Sequence, residues 1–550
     1  MPIGLFYNMT MLPHWSAWRL PPFTDLASYK SKPTLTVWQG SAGGGGGWFN
    51  NRFWFTSHDA STGHVGLTPD GVWPSGGWQG GRTWHTVSPS CGTTGPLVSG
   101  NFHVNGIFEE LDAPGEFYLD VASAELYLFY NNSIFPPGTP QPAPNAPPPT
   151  SLVLVSPQLE ILFNLSGSAD APVADVTFAG IDFRDQRDGF LESWIVPSGG
   201  DWGLRRAGAL HFAGTARATV DGCSFIRTDG NAIAISGWNR NATISSTEFK
   251  WLGMSAVVEM GYTDEEDGTA GEQPWGTVIT GCAVSELGLL EKQSSALFLG
   301  KTPLTRFEGN LAFNGPRAMV NFNDGFGGGH NTSLNAMWNT CRETGDHGPM
   351  NSWQRQPFSS LISTGGTAAT FASALSATHN NAINAGYGGS QAFDNDDGSS
   401  YYDTYDNFFF SSDGFKTDYG GHDSRSHDNV IVVREYDGQV CYNAGDYNPG
   451  HETWIYGNIC VVPMGSDGTP NEMVGHTSSA CNGGAHGTGP LMAWNNSYYT
   501  PLANATVGCD RGAVRIADMP PPFELGSTSN PMPTALDIVA WGRAKLLLDV

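Results

Sequence analysis

The stretches VTFAGIDFRD (176–185), ATVDGCSFIRTD (218–229), ATISSTEFKWLG (242–253), TVITGCAVSELG (277–288) and TRFEGNLAFNGP (305–316) share one pattern. Each has a short apolar alternation, a small turn residue and a second apolar alternation. Later segments keep the pattern with asparagine at the turn: HNTSLNAMWN (330–339), THNNAIN (378–384), YDNFFF (405–410), HDNVIVV (427–433) and YGNICVV (456–462). The anchors Asn381, Asn407, Asn429 and Asn458 lie 26, 22 and 29 residues apart, and the earlier anchors Ser246, Gly281 and Gly309 lie 35 and 28 apart. A period of this size built from short alternating strands, with no amphipathic helices between them, is the signature of a solenoid. A fixed leucine ladder is absent, helical repeats would need faces of period 3.6, and a propeller needs a period nearer forty. The expected fold is therefore all-β, a right-handed parallel β-helix. Its coils stack at roughly 4.8 Å, and asparagine or glycine at the turns tolerates left-handed backbone.

The flanks break the pattern. Residues 1–150 are rich in Trp, Gly and turns and end in FPPGTPQPAPNAPPPT, a stiff polyproline-type connector. Residues 511–550 are Pro-rich, with room for one short helix. Solenoid ends need covering. The expected organisation is thus a β-rich N-terminal cap over 1–150, the β-helix over 151–510 and a C-terminal tail.

Composition narrows the function. Charged residues make up 14%, Gly numbers 71, and the formal net charge is −26. Phosphate binding needs a basic surface, so a nucleic-acid partner is not expected. No apolar run approaches the ~20 residues needed to span a bilayer. The opening MPIGLFYNMTMLPHWSAW lacks the basic start and unbroken apolar core of a signal peptide. Seven Asn-x-Ser/Thr sequons, at Asn8, Asn131, Asn164, Asn241, Asn331, Asn495 and Asn504, nevertheless point to a secreted, extracellular glycoprotein. Asn331, directly after GFGGGH, reads as the most loop-like of them. Nothing in the sequence sets the oligomeric state.

The eight cysteines include no CxxC, which argues against a zinc site, and no metal site is expected. Cys223 and Cys282 each follow an anchor glycine and occupy one row two coils apart. That is roughly 10 Å by strand spacing, beyond disulfide reach, so both are expected as buried thiols. The four C-terminal cysteines are the better disulfide candidates.

Acids concentrate in FDNDDGSSYYDTYDNFFFSSDGFKTDYGGHD (393–423), which holds eight aspartates. Asp397 lies 16 residues after Asn381, and Asp423 lies 16 after Asn407. Asp346 lies 11 after Asn335, and Asp418 lies 11 after Asn407. On regular coils these pairs stack and bring acids to one face. Asp403, Asp406, Asp413 and Asp428 read as turn caps. DNDDG is not an EF-hand loop, because Gly398 takes a position that loop gives to an acid, and only a non-EF calcium site stays open. No other cofactor is expected. A second concentration, CRETGDHGPMNSWQRQPF (341–358), carries Asp346, His347, Trp353 and Arg355. A ring to stack on beside charged hydrogen-bonding groups suits a sugar.

On FEELDAPGEFYLD (108–120), RETGDHGPMNSWQRQPF (342–358) and FDNDDGSSYY (393–402), the chain resembles the right-handed parallel β-helix carbohydrate-active proteins of the pectin-lyase-like superfamily, and within them glycoside hydrolase family 141-like sequences. The resemblance implies a polysaccharide or glycan partner. It also implies a groove formed by Asp346, His347 and Arg355 from one motif and Asp394, Asp396 and Asp397 from the other. KTDYGGHD departs from the family pattern, so Lys416, Asp418, His422 and Asp423 stand on position alone.

Three functions follow. In a glycoside hydrolase, two of Asp397, Asp346 and Asp418 would flank the scissile bond, one as general acid and one as nucleophile or base. Asp394, Asp396, Asp423, His347, Trp353, Arg355, Lys416 and His422 would bind substrate. A polysaccharide lyase or uronan epimerase would instead need a cation to neutralise the uronate and a base to take the α-proton. A non-catalytic surface protein would keep only the groove or the rigid rod.

Overall fold

The computed structural model describes residues 3–6, 9–20, 33–38, 50–67, 102–130, 153–189, 204–262, 267–268, 270–323, 328–344, 347–353, 359–360, 370–371, 375–385, 391–396, 398–417, 421–434, 440–444, 450–463, 474–475, 492–507, 514–519 and 523–548. The chain divides into two compact units, Met1–Pro157 with Leu191–Gly203, and Gln158–Phe190 with Leu204–Val550.

The first unit holds a five-stranded antiparallel sheet in the order Ile3–Phe6, His64–Leu67, Asn50–Asp59, Thr34–Trp38, Phe102–Asn105. Alternate side chains of these strands (Leu35, Phe53, Phe55, Val65, Leu67) close on Trp15 and Trp18, whose rings lie 4.3 Å apart. A hairpin of Phe117–Asp120 and Glu125–Leu128 follows.

The second unit is the parallel β-helix expected from the repeat. Three long parallel sheets of 13, 11 and 12 strands run along it among the described residues. A regular coil contributes one strand to each sheet, and two coils add a second short strand, Val173–Ala174 and Pro274–Trp275, to the first sheet. Gln391–Asp396, Tyr402–Tyr405 and Phe408–Phe410 form one coil, and Asp413–Thr417, Arg425–His427 and Val430–Val432 form the next. Equivalent inward positions stack in register. In the first sheet Ile233, Val257, Leu297 and Val320 share a row, and in the third Phe183, Phe225 and Phe249 stack with centroids 4.7 and 5.2 Å apart. Offset ring stacking adds about 0.5–1.5 kcal/mol per pair beyond area burial.

The turn between the second and third sheets explains the anchors. One residue there adopts left-handed backbone: Gly222, Ser246, Gly281, Gly309, Asn380, Asp406, Asp428, Gly457 and Asn495 all have φ between 49° and 68°. The residue after it points inward. The anchor asparagines therefore do not supply the left-handed conformation expected of them. They form a buried ladder instead. Asn310, Asn335, Asn381, Asn407, Asn429, Asn458 and Asn496 are 0–2% exposed. Each side-chain Oδ1 from Asn335 onward accepts from the backbone N–H and Nδ2 of the asparagine one coil back, at 2.9–3.1 Å. A flat amide repeating at the coil spacing satisfies its own donors and acceptors, and these hydrogen bonds offset the desolvation of polar groups placed in an apolar interior. Cys223 and Cys282 occupy the same inward position in earlier coils and are buried free thiols, as the spacing requires. Cys441 and Cys460 form a disulfide, while Cys91, Cys481 and Cys509 lie outside the described residues.

Parallel pairing continues past the last asparagine to Thr528–Asn530. A helix, Ala535–Lys545, then lies on the third sheet, started by a capping box between Thr534 and Asp537. Phe408 ring atoms come within 3.1 Å of where a Cβ on Gly542 would sit, so a larger residue there would press the helix or the ring back by a few tenths of an ångström. Asn380 Nδ2 donates to the Lys545 carbonyl at 2.6 Å, and the Lys545 ammonium lies 2.6 Å from Asp406.

Candidate functional site

The first sheet sends one set of side chains into the solenoid and the alternate set to its other face. In Gln391–Asp396 and Asp413–Thr417 the inward rings are Phe393 and Phe415, both in the core. Asp394 and Asp396 therefore share the outward face with Lys416, which is the register partner of Asp394. The preceding strands, Val320–Asn323 and Met350–Trp353, place Asn321 and Asn351 in the Asp394 row and Asn323 and Trp353 in the Asp396 row.

Asn321, Asn323, Asn351, Asp394 and Lys416 are buried despite facing away from the core, while Asp396 and Trp353 are half-buried. Asp394 is 0% and Lys416 8% exposed. The Lys416 ammonium lies 2.8 Å from Asp394 Oδ1 and 2.7 Å from Asp396 Oδ1. Because one nitrogen touches both, those two oxygens are at most about 5.5 Å apart. Asn351 Nδ2 donates to Asp394 Oδ2 at 3.2 Å, and His347 Nδ1 stands 3.6 Å from that oxygen. Among the described residues, the amide nitrogen and oxygen of both Asn321 and Asn323 are buried with no hydrogen-bond partner. A buried amide left unpaired costs about 1–3 kcal/mol per group, so these four atoms call for polar partners, ordered water or a ligand.

Of the expected site residues, Asp394, Asp396, His347, Trp353 and Lys416 come together here. Asp397, Asp346, Asp418 and Arg355, including all three expected catalytic acids, lie outside the described residues. Asp397, the expected stacking partner of Asp423, lies outside the described residues. Asp403 pairs with Arg425, and the Tyr401 N–H donates to the His422 carbonyl, so Asp423 falls beside Tyr401. The forward count failed because coils differ in the connection from the third sheet to the first. It takes six residues after Asn384 and two after Phe410. Counting back from the ladder avoids that connection: Asp394 lies 13 residues before Asn407, and Lys416 lies 13 before Asn429.

His422 and Asp423 belong to another cluster, with His451 from the next coil. The Nδ1 atoms of both histidines lie 2.7 Å from Asp423 Oδ2. Asp406 and Asp428 are turn residues as expected, with φ of 51° and 54°. Asp403 is not, and Asp413 caps the Val440 N–H from a strand and not from a turn. Asp403 accepts from His427 Nε2 at 3.0 Å, and Asp413 is buried within a strand, where desolvation pushes its carboxyl up to about 8. Glu259 points inward, and burial raises it to about 8 against hydrogen bonds from Thr305 and Thr277. Both are core acids outside the outward polar row.

Asn321, Asn323, Asn351 and His451 were not anticipated. Asn321 and Asn323 were readable: VNFN (320–323) alternates polar with core residues, which puts the polar set outward. MNSW (350–353) does not, because Ser352 faces inward and Trp353 outward.

No family model matches the chain, and no curated protein does. A solved structure described as a glycoside hydrolase is similar over 78% of this chain and 68% of its own, with 13% identity and a TM-score of 0.49. The chemistry of the site has to carry the functional reading.

Proposed function

We propose that the protein is a secreted glycoside hydrolase acting on a neutral polysaccharide, with Asp394 and Asp396 as its paired carboxylates. The observation that carries this reading is the outward polar row: two aspartates sharing one lysine, flanked by buried amides without partners and by Trp353. Sugar hydroxyls are donors and acceptors at once, so they suit orphaned asparagine amides. A ring beside them gives a sugar face something to pack on.

A separation of about 5.5 Å or less between carboxylate oxygens fits the roughly 5–5.5 Å of enzymes that form a covalent glycosyl intermediate, and is short of the roughly 6.5–9.5 Å that leaves room for an attacking water. One carboxylate then attacks the anomeric carbon while the other, protonated as the carboxylic acid, gives its proton to the leaving oxygen. Ionised by that step, it then takes a proton from the water that attacks the covalent intermediate and frees the nucleophile. In the free protein the Lys416 ammonium stands between them. Substrate has to exchange part of that ion pairing for its own hydroxyls, and the flexible four-carbon stem of lysine allows the movement.

A lyase or epimerase is favoured by one fact, that Lys416 and His347 both approach Asp394. The balance of two carboxylates against one ammonium works against it, because a uronate would meet net negative charge. The test is a panel of neutral and uronate polysaccharides assayed for new reducing ends and for ultraviolet-absorbing unsaturated ends. Reducing ends from a neutral glycan, with the anomeric configuration retained by NMR, are expected. Unsaturated products, or cleavage of uronates alone, would overturn the reading.

A further inference from the structure

We infer that His422, Asp423 and His451 form a binding site for one divalent transition-metal cation of the zinc class. The side-chain donor atoms of these three residues all lie within 4.8 Å of one another. Two imidazole Nδ1 atoms from different coils converge on a single carboxylate oxygen, each at 2.7 Å. Without a cation, both histidines must carry their proton on Nδ1 and share one acceptor. A metal replaces both protons at once.

Ligands about 2.0–2.2 Å from a tetrahedral zinc lie about 3.4 Å from each other, so each histidine nitrogen, now 2.7 Å from Asp423 Oδ2, has to draw back from that oxygen by about 0.7 Å. The backbone holds them ready. The Asp423 N–H donates to the His451 carbonyl at 3.4 Å, the His422 N–H donates to Ser400 Oγ at 3.0 Å, and the Tyr401 ring packs edge-on against His422 with centroids 5.4 Å apart. His451 is the exposed member, with 59% of its side chain accessible, and gives an ion a way in.

The donor set selects the ion. Two imidazoles and one carboxylate suit zinc and its neighbours, whereas calcium and magnesium prefer all-oxygen cages. Three protein donors leave a fourth position open to water or an exogenous ligand, the arrangement of a reactive zinc site in contrast to a closed structural one. The site shares no residue with the Asp394 row, so it stands or falls separately from the glycosidase reading.

The test is titration of the chelator-treated full chain with zinc chloride against a chromophoric competitor, with parallel samples in millimolar calcium. One zinc per chain at micromolar Kd or tighter, undisturbed by calcium, is expected. His451→Ala, His422→Ala and Asp423→Asn should each weaken binding at least ten-fold. His451→Ala removes an exposed side chain, so its loss of affinity cannot be laid to unfolding. His427→Ala, which removes a histidine also flanked by aspartates, should change affinity less than two-fold. No zinc binding below millimolar, full displacement by calcium, or a His451→Ala variant that binds like the parent would each overturn the site.

Discussion

Glu259 sits inside the solenoid, on the strand Val257–Met260, where every neighbour in its row is apolar. Its carboxyl, raised by burial to about 8 from 4.5, stays neutral through most of the physiological range. The unfolded chain ionises near 4.5, so the contribution of this group is whole below that pH. It is lost progressively as pH climbs to about 8, at up to about 1.4 kcal/mol per pH unit. Glu259→Gln keeps the shape and removes the titration. Relative to the parent, the variant should gain stability steadily between pH 5 and 8, on the order of a few kcal/mol, read by thermal unfolding at several pH values. A constant difference across that range would show that Glu259 is not buried as a neutral acid. His330 slopes the other way. Burial lowers it to about 3, so its contribution is whole above 6.5 and is lost as pH falls. Asp413, also raised to about 8, slopes with Glu259, so the difference between parent and Glu259→Gln is what isolates this one acid. At the site, Lys416→Met should reduce turnover on any substrate by roughly ten-fold or more, since charge-assisted contacts to carboxylates are the strong ones. Unchanged kinetics in that variant would mean the lysine only fills space.

The asparagine ladder is the element that makes coil number and turn position agree. Replacing Asn407 by Ala strips the acceptor of the Asn381 N–H and Nδ2 and leaves the Thr378 carbonyl and Asn429 Oδ1 without its amide. At about 1–3 kcal/mol for a buried group left unpaired, the variant should lose roughly 3 kcal/mol or more by denaturant unfolding. A loss under about 1 kcal/mol would show that the ladder is not energetically coupled. This element was half legible. The recurring asparagines and their spacing announced a solenoid, because a buried column repeats with the coil. Their role was misread, because sequence does not tell the turn residue from the inward residue beside it. Asp406 and Asn407 are adjacent, and only backbone geometry says that Asp406 bends while Asn407 stacks. The site was legible in the same partial way. That acids gather between 393 and 423 was plain, but which of them stack depends on connections of unequal length. Asp394 with Lys416 emerged from strand register, not from the forward count that favoured Asp397 with Asp423.

Taken as one body, the second unit is a rod with a helix against its third sheet, and its outer surface decides what can be attached to it. Asn164, Asn241 and Asn495 are exposed sequons, while Asn331 is not the open loop its neighbouring glycines suggested. It lies in the strand Asn331–Ser333, and its Nδ2 donates to Glu308 at 2.7 Å. Protein produced through a glycosylating secretory pathway should carry glycans on one or more of the three exposed sites and none on Asn331, by peptide mass spectrometry. A glycan on Asn331 would contradict its placement. The central claim is that the outward row of the first sheet, and no other acid-rich surface of the rod, performs hydrolysis. The most direct measurement compares reducing-end release by Asp394→Asn and by Asp406→Asn on the same neutral polysaccharide. Asp394→Asn should fall by roughly 10²- to 10⁴-fold or more with the fold retained, as expected for loss of a catalytic carboxylate. Asp406→Asn, which loses only its contact with Lys545, should turn over like the parent. Equal activity in the two variants would contradict the account.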